Sequence, residues 1–293
     1  MTTPTTDCFC CWSDFLGFGD SFEKGGWTFA SEVCQENIHR LKSIWESYHD
    51  PSSAPDDVAL FLNDGMARVF DITEQTRDPK RILRWLVFAC IYHMASSRTD
   101  GANGFAGARG VLSYGERVLL GEETKSLSDY LIGTADAKGQ FSRRVCVYSP
   151  KEFQLNLAFS RAYIIESSGK SAGLEHPSLY VDAAALNALE ALVNNAAFED
   201  LEGQDFDSSG IPNRIVPLKR LYKVERYRDQ NALRKFSVSP SIGNGFRPFV
   251  ELTFAVPGIP FSKRGIVTTL HRLEELVADS EFKQGHRSIT FLS

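Results

Sequence analysis

With 293 residues, 43% of them hydrophobic and 24% charged, the chain has the make-up of a soluble globular protein, long enough for one large domain or two modest ones. Its formal net charge of −5, without a long basic run, argues against a nucleic-acid-binding surface. Met1–Asp7 lacks the basic and apolar regions of a secretory signal, and no apolar run reaches the roughly 18–20 residues of a membrane span, so a cytoplasmic protein without membrane contact is expected.

Asp7–Ser13 reads as a short buried strand of Cys, Phe and Trp, followed by a glycine-rich turn over Gly17–Gly26. Apolar residues recur at helical spacing from Trp27 to Tyr48, among them Cys34, Ile38, Leu41 and Ile44. Val58–Leu62 and Met66–Ile72 read as two strands joined by the tight-turn signal Asn63-Asp64-Gly65. Pro79–Ala95 is apolar nearly all round and reads as a buried helix. A glycine-rich loop, Gly101–Gly107, then leads to the strand Arg109–Tyr114.

That order is strand, helix, hairpin, helix, strand, the ferredoxin-like split arrangement. In it the first and second strands run parallel, with the third antiparallel between them. The end of the first strand and the tip of the hairpin therefore share one edge of the sheet. Asp14 closes the strand and Asp64 stands at the tip, so topology alone brings two distant carboxylates together.

Further along, Arg143–Tyr148 reads as a strand, and a helix runs from Ser149-Pro150 to about Ser167 with proline in its first turn. Leu179–Val181 is a strand feeding the helix Ala183–Asn194. The acidic stretch Glu199–Gly210 is the best boundary, dividing residues 7–195 from a C-terminal α/β extension over 196–293. In that extension Ile215–Val224 and Pro248–Val256 read as strands and Ile266–Asp279 as an amphipathic helix. The fold class expected is α+β.

Several chemistries are disfavoured. The Cys8, Cys10, Cys11 cluster has no second ligand pair, and reduced core thiols are the better reading of all six cysteines. Phe22 stands where a dinucleotide-binding motif needs its third glycine. No P-loop lysine motif, His-x-x-x-His pair or Gly-x-Ser-x-Gly elbow is present.

The segment Asp14-Phe15-Leu16-Gly17-Phe18 resembles the strand-to-loop signature of the class III nucleotidyl cyclases, and Leu62-Asn63-Asp64-Gly65 resembles the hairpin carrying their second aspartate. Arg109-Gly110-Val111-Leu112-Ser113-Tyr114-Gly115 resembles the strand that follows. Ala158–Glu166 and Leu179–Asp182 resemble the later helix and strand. The resemblance implies two divalent cations, Mn²⁺ or Mg²⁺, on Asp14, Asp64 and the Phe15 carbonyl, and a triphosphate approached by Gly17 and Phe18. It also implies a homodimer with composite sites. Arg109 and Tyr114 are candidate substrate contacts. Asn156, Arg161, Arg143 and Arg144 are candidates for the triphosphate, although the helix register differs from the family's.

Leu60 stands where purine-using relatives carry a lysine. With the Arg-Gly-x-x-x-Tyr-Gly strand, this resembles the bacterial pyrimidine cyclases of anti-phage signalling, which make cyclic UMP or cyclic CMP for a separate effector. A purine cyclase and an inactive nucleotide-sensing module are the alternatives.

Overall fold

The computed structural model describes residues 4–47, 58–74, 76, 79–119, 150–175, 177–193, 202–206, 212–217, 222–226, 233–238, 248–255, 257–282 and 285–292. The N-terminal elements are β1 (Thr5–Phe15), α1 (Phe18–Lys24), α2 (Glu32–Ser47), β2 (Val58–Leu62), β3 (Gly65–Ile72), α3 (Pro79–Ala102) and β4 (Ala108–Val118). After them come α4 (Leu157–Ser167), β5 (Leu179–Asp182) and α5 (Ala183–Val193). The C-terminal strands are β6 (Glu202–Phe206), β7 (Pro212–Pro217), β8 (Tyr222–Arg226), β9 (Leu233–Val238), β10 (Pro248–Ala255), β11 (Ile259–Lys263), β12 (Ile266–Phe282) and β13 (Gly285–Leu292).

The fold is α+β, a large sheet flanked by helices, with strand order β2-β3-β1-β4-β5-β12-β10-β9-β8. β3 lies antiparallel between β1 and β2, so these two run parallel as the hairpin pattern requires. β1 is central and apolar on both faces, which is why its residues read as a continuous hydrophobic run rather than an alternation. Phe9 and Cys11 face a core built with α3 and α5, around Trp85, Leu86 and Leu186. Cys8, Cys10 and Trp12 face the other core, built with α4, around Ala158, Ala162 and Ile165. Consecutive strand positions point to opposite faces, so the three clustered cysteines do not converge. Burial pushes the Cys8 thiol up to about 12.

Three helices depart from expectation. The Gly17–Gly26 turn contains a short helix, α1, entered through Gly17 in the left-handed conformation (φ 78°). α3 runs on to Ala102, through Gly101, because Ser97 and Asp100 are anchored by the backbone of residues 107 and 108. α4 starts only at Leu157, because the buried Asn156 side chain caps it by accepting from the Phe159 amide at 2.8 Å. The expected strand Arg143–Tyr148 and the boundary at 199–201 and 207–210 lie outside the described residues.

The largest correction is at the C-terminus, where Ile266–Asp279 is strand and not helix. Leu270, Leu273 and Leu276 are spaced by three, which imitates a helical stripe. In the sheet, Leu270 joins the α4-side core while Leu273 and Leu276 join the other. A bulge opposite Thr253 and Phe254 inserts the extra residue that keeps the last two on one face. The β-branched run Ile266–Thr269 adds strand preference. β12 then pairs in turn with β11, β5, β10 and β13, so β8–β13 of the extension continue the sheet, while β6 and β7 form a separate two-stranded sheet.

Candidate metal and nucleotide site

Asp14 lies opposite Gly65 of β3 and Arg109 of β4 in the sheet register. The hairpin tip is fastened to it, since the Phe15 amide donates to the Asp64 carbonyl at 3.0 Å. Asn63 takes the left-handed conformation that the two-residue turn needs (φ 53°). Gly65 serves another purpose than turning. The Trp12 indole lies over it, and a Cβ there would sit 2.2 Å from the ring. Trp12 thus packs directly beneath the tip that carries Asp64.

Three buried networks hold this edge. Glu166 of α4 accepts from Trp12 Nε1 at 3.3 Å and from Arg109 Nε and Nη2 at 2.8 and 2.6 Å. Arg40 of α2 donates to Asp100 at 2.6 and 2.5 Å and to the Leu16 carbonyl at 3.1 Å, with its guanidinium 4.6 Å from the Phe105 ring centroid. Asp100 accepts from the Gly107 amide, whose carbonyl accepts from Leu16 N, so the chain after Asp14 is clasped from both sides. On the face opposite Asp14, Ser13 bonds His93 Nδ1 at 2.9 Å. Burial drives His93 down to about 4, so the ring is neutral at pH 7.

Asp14 and Asp64 stand apart from these pairs. Neither has an ion-pair partner among the described residues. Burial, then Glu166 and Asp64, push the Asp14 carboxyl up to about 7, with Arg109 and Arg40 only partly opposing them. Burial also raises Asp64, against a bond to its own backbone amide and the charge of Arg40. Two half-buried carboxylates that resist ionisation side by side form an oxygen donor pair suited to a hard divalent cation. The residues present fit such an ion.

The other predicted site residues divide between this edge and more distant positions. Gly17 and Phe18 follow directly and open α1. Arg109 reaches the same edge, but its guanidinium is held by Glu166. Tyr114 packs on Phe9 at 5.1 Å, and burial with a hydrogen bond to Asp7 raises its phenol. Asn156 bonds Phe159, Glu152 and Cys8, and Cys8 is six residues from Asp14 along β1, about 20 Å at strand rise. Arg161 donates to Asp182 at 2.5 Å. Arg143 and Arg144 lie outside the described residues. Sequence reasoning missed Arg40, Asp100 and His93, for a lone charge in an apolar helix carries no spacing that names its partner.

No family model matches the chain, and no curated protein does. Among solved structures it is similar to the guanylyl cyclase Cya2, at 15% identity over 73% of this chain and 91% of that one, with a TM-score of 0.35. It is also similar to the adenylyl cyclase CyaB from P. aeruginosa, at 10% identity over 93% and 96%, with a TM-score of 0.39. Likenesses this distant decide neither fold nor chemistry, which rest on the geometry above.

Proposed function

We propose that the chain is a nucleotidyl cyclase that uses Asp14, Asp64 and the Phe15 carbonyl to hold two divalent cations, Mn²⁺ or Mg²⁺. The observation that carries this reading is the pair of carboxylates fastened at one sheet edge, both held back from ionising and neither neutralised among the described residues. When bound, the cations activate a hydroxyl and neutralise phosphate charge. In the reaction the 3′-oxygen of a nucleoside triphosphate bonds to its own α-phosphorus, the α–β bridging P–O bond breaks, and pyrophosphate leaves with the cyclic monophosphate. The hydroxyl proton passes to solvent.

The chain's own groups position these atoms. The Arg40–Asp100 clasp fixes the Leu16 backbone between α2 and the Gly107 loop, directly after the Asp14 strand end. Residues 7–195 would form the catalytic unit, with β8–β13 of the 196–293 extension continuing its sheet. Sites shared between two copies would supply the transition-state contacts that Asn156 and Arg161 do not bring to Asp14 within one chain.

A pyrimidine substrate is favoured by Leu60, which packs against the α4-side core and offers no donor to a purine; UTP ahead of CTP follows from the sequence resemblance alone. The cyclic product would signal to a separate effector in anti-phage defence, as the sequence resemblance implies. One observation favours a second reading, a non-catalytic nucleotide sensor. Asn156 and Arg161 are both bonded internally. Incubating the purified protein with the four ribonucleoside triphosphates and Mn²⁺, with products resolved by mass, separates the readings. Cyclic UMP or CMP is expected. A cyclic purine product overturns the pyrimidine assignment, and no cyclic product with any metal overturns the cyclase.

A further inference from the structure

Across the sheet, Asp14 is opposite Gly65 of β3, which has no side chain, and opposite Arg109 of β4. Residues directly opposite on neighbouring strands share a face with their β-carbons about 5 Å apart, and opposite charges there attract. An ion pair between Arg109 and Asp14 is therefore what the register alone would give. At the far end of the same strands Arg117 makes a longer reach, from β4 past β1 to Asp71 on β3. Arg109 has only one strand spacing to cover, and it turns elsewhere.

Glu166 of α4 is where it turns. Glu166 Oε1 accepts from both Arg109 Nε and Nη2, at 2.8 and 2.6 Å, while Oε2 accepts from Trp12 Nε1 at 3.3 Å. Both partners are buried, Glu166 to 3% exposure and Arg109 to 8%. Their charges also reach Asp14. Burial raises that carboxyl most, then Glu166, then Asp64, and Arg109 is the foremost charge that lowers it. Two carboxylates thus stand within range of one guanidinium, and the one on the helix holds it.

We propose that Glu166 is a positioning residue for the cation site and acts by competition, holding Arg109 away from Asp14 so that this carboxylate stays open to a divalent ion. The inference rests on the reading of Asp14 and Asp64 as a cation site. Without the Glu166 charge, Arg109 has a carboxylate directly across the ladder and pairs with it, and Asp14 is neutralised from inside as Asp71 is. The bond from Trp12 ties the same carboxylate to the second aspartate, because the indole packs against Gly65 beneath the Asp64 tip.

Glu166→Gln tests this, since it keeps the shape of the side chain and an oxygen for Trp12 but removes the charge that holds Arg109. Mn²⁺ is titrated calorimetrically without nucleotide, and the metal-free protein is unfolded in urea. Glu166→Gln is expected to weaken Mn²⁺ binding about tenfold, the scale on which contacting charges couple. Arg109→Met should restore most of that loss in the Glu166→Gln background, and should change the affinity by no more than about threefold on its own. In metal-free protein, Asp14→Asn should lower the urea midpoint in the Glu166→Gln background, where Asp14 has gained a partner, and should not lower it in the wild type. Equal effects of Arg109→Met in both backgrounds would mean that the charges merely add. Equal effects of Asp14→Asn would mean that Arg109 never turns. Either result overturns the proposal alone, provided that Mn²⁺ binding still depends on Asp14 and Asp64. So does a Glu166→Gln protein that fails to fold while the double variant with Arg109→Met folds, because Arg109 has then found no second carboxylate. If the wild type binds no Mn²⁺, or binds it without dependence on Asp14 and Asp64, the cation reading falls and the positioning role with it.

Discussion

The two ends of β1 carry similar residues and treat them oppositely. At the end near Cys8, Asp71 of β3 is gripped by Arg117 of β4 through two nitrogens, with the Nε bond at 2.9 Å. The remaining guanidinium nitrogen donates to the Val118 and Lys151 carbonyls. Burial works against the charged Arg117, yet the bond to Asp71 and that carboxylate's charge raise its pKa. At the other end Arg109 is again on β4, opposite Asp14, but its guanidinium turns to Glu166. One carboxylate is therefore neutralised from inside, while Asp14 and Asp64 are left with excess negative charge. The first arrangement stabilises the fold. The second is the arrangement that the proposed cation site requires.

The largest effect should come from emptying the unneutralised end. If each carboxylate anchors a cation as proposed, Asp14→Ala or Asp64→Ala should lower cyclic-nucleotide formation about a thousandfold or more, equivalent to roughly 4 kcal/mol of barrier. The metal-free melting temperature should not fall, since a strained carboxylate has been removed. Turnover within tenfold of wild type in either variant breaks the comparison.

Arg117→Met should act the other way round. It leaves Asp71 without its counter-charge, which costs about 3–5 kcal/mol for a buried pair, read as a shift in the urea midpoint. Activity per folded molecule should stay near wild type. A variant as stable as wild type would mean that the pair is too well solvated to matter.

A smaller loss is expected from Gly65→Ala, whose methyl would enter the Trp12 ring and must push either the ring or the hairpin tip aside. Overpacking of this kind costs about 1–3 kcal/mol. If the tip is what moves, Mn²⁺ affinity falls as well, which links the packing beneath Asp64 to the ion above it. Unchanged thermal stability and Mn²⁺ binding would show that the indole moves freely.

The gentlest test is pH. Between the ordinary carboxylate value of 3.8 and about 7, folded Asp14 binds a proton that the unfolded chain has released. Its contribution to stability is therefore fully present below 3.8 and is lost as pH rises through about 7. Metal-free protein should lose stability across that window, and Asp14→Asn should flatten the slope. Mn²⁺ affinity should rise over the same range, because the ligand must be ionised. A pH-independent Mn²⁺ affinity between 5 and 8 would show that Asp14 is not a ligand.

Much of this was legible along the chain. Helical spacing, the Asn63-Asp64 turn and the apolar run of β1 are local signals, and the ferredoxin-like order they imply brings Asp14 to Asp64 without any knowledge of side-chain packing. Arg109, Asn156 and Arg161 were legible as polar residues near the right segments, but their partners were not. An arginine's long stem can reach several carboxylates, and Glu166 and Asp182 become the neighbours of Arg109 and Arg161 only when α4 and β5 dock on the sheet.

By itself, then, the sequence determined the element order of the N-terminal half, the shared edge of the two aspartates and the buried state of Cys8, Cys10, Cys11, Cys34 and Cys90, because these follow from short-range periodicity and turn chemistry. Tertiary structure decided which charges are paired and which are left over, the cap that makes Asn156 a helix start, and the strand at Ile266–Phe282. A spacing of three is helical in isolation. It becomes a bulged strand only because β5, β10, β11 and β13 supply the hydrogen bonds and the two cores that Leu270, Leu273 and Leu276 divide between them.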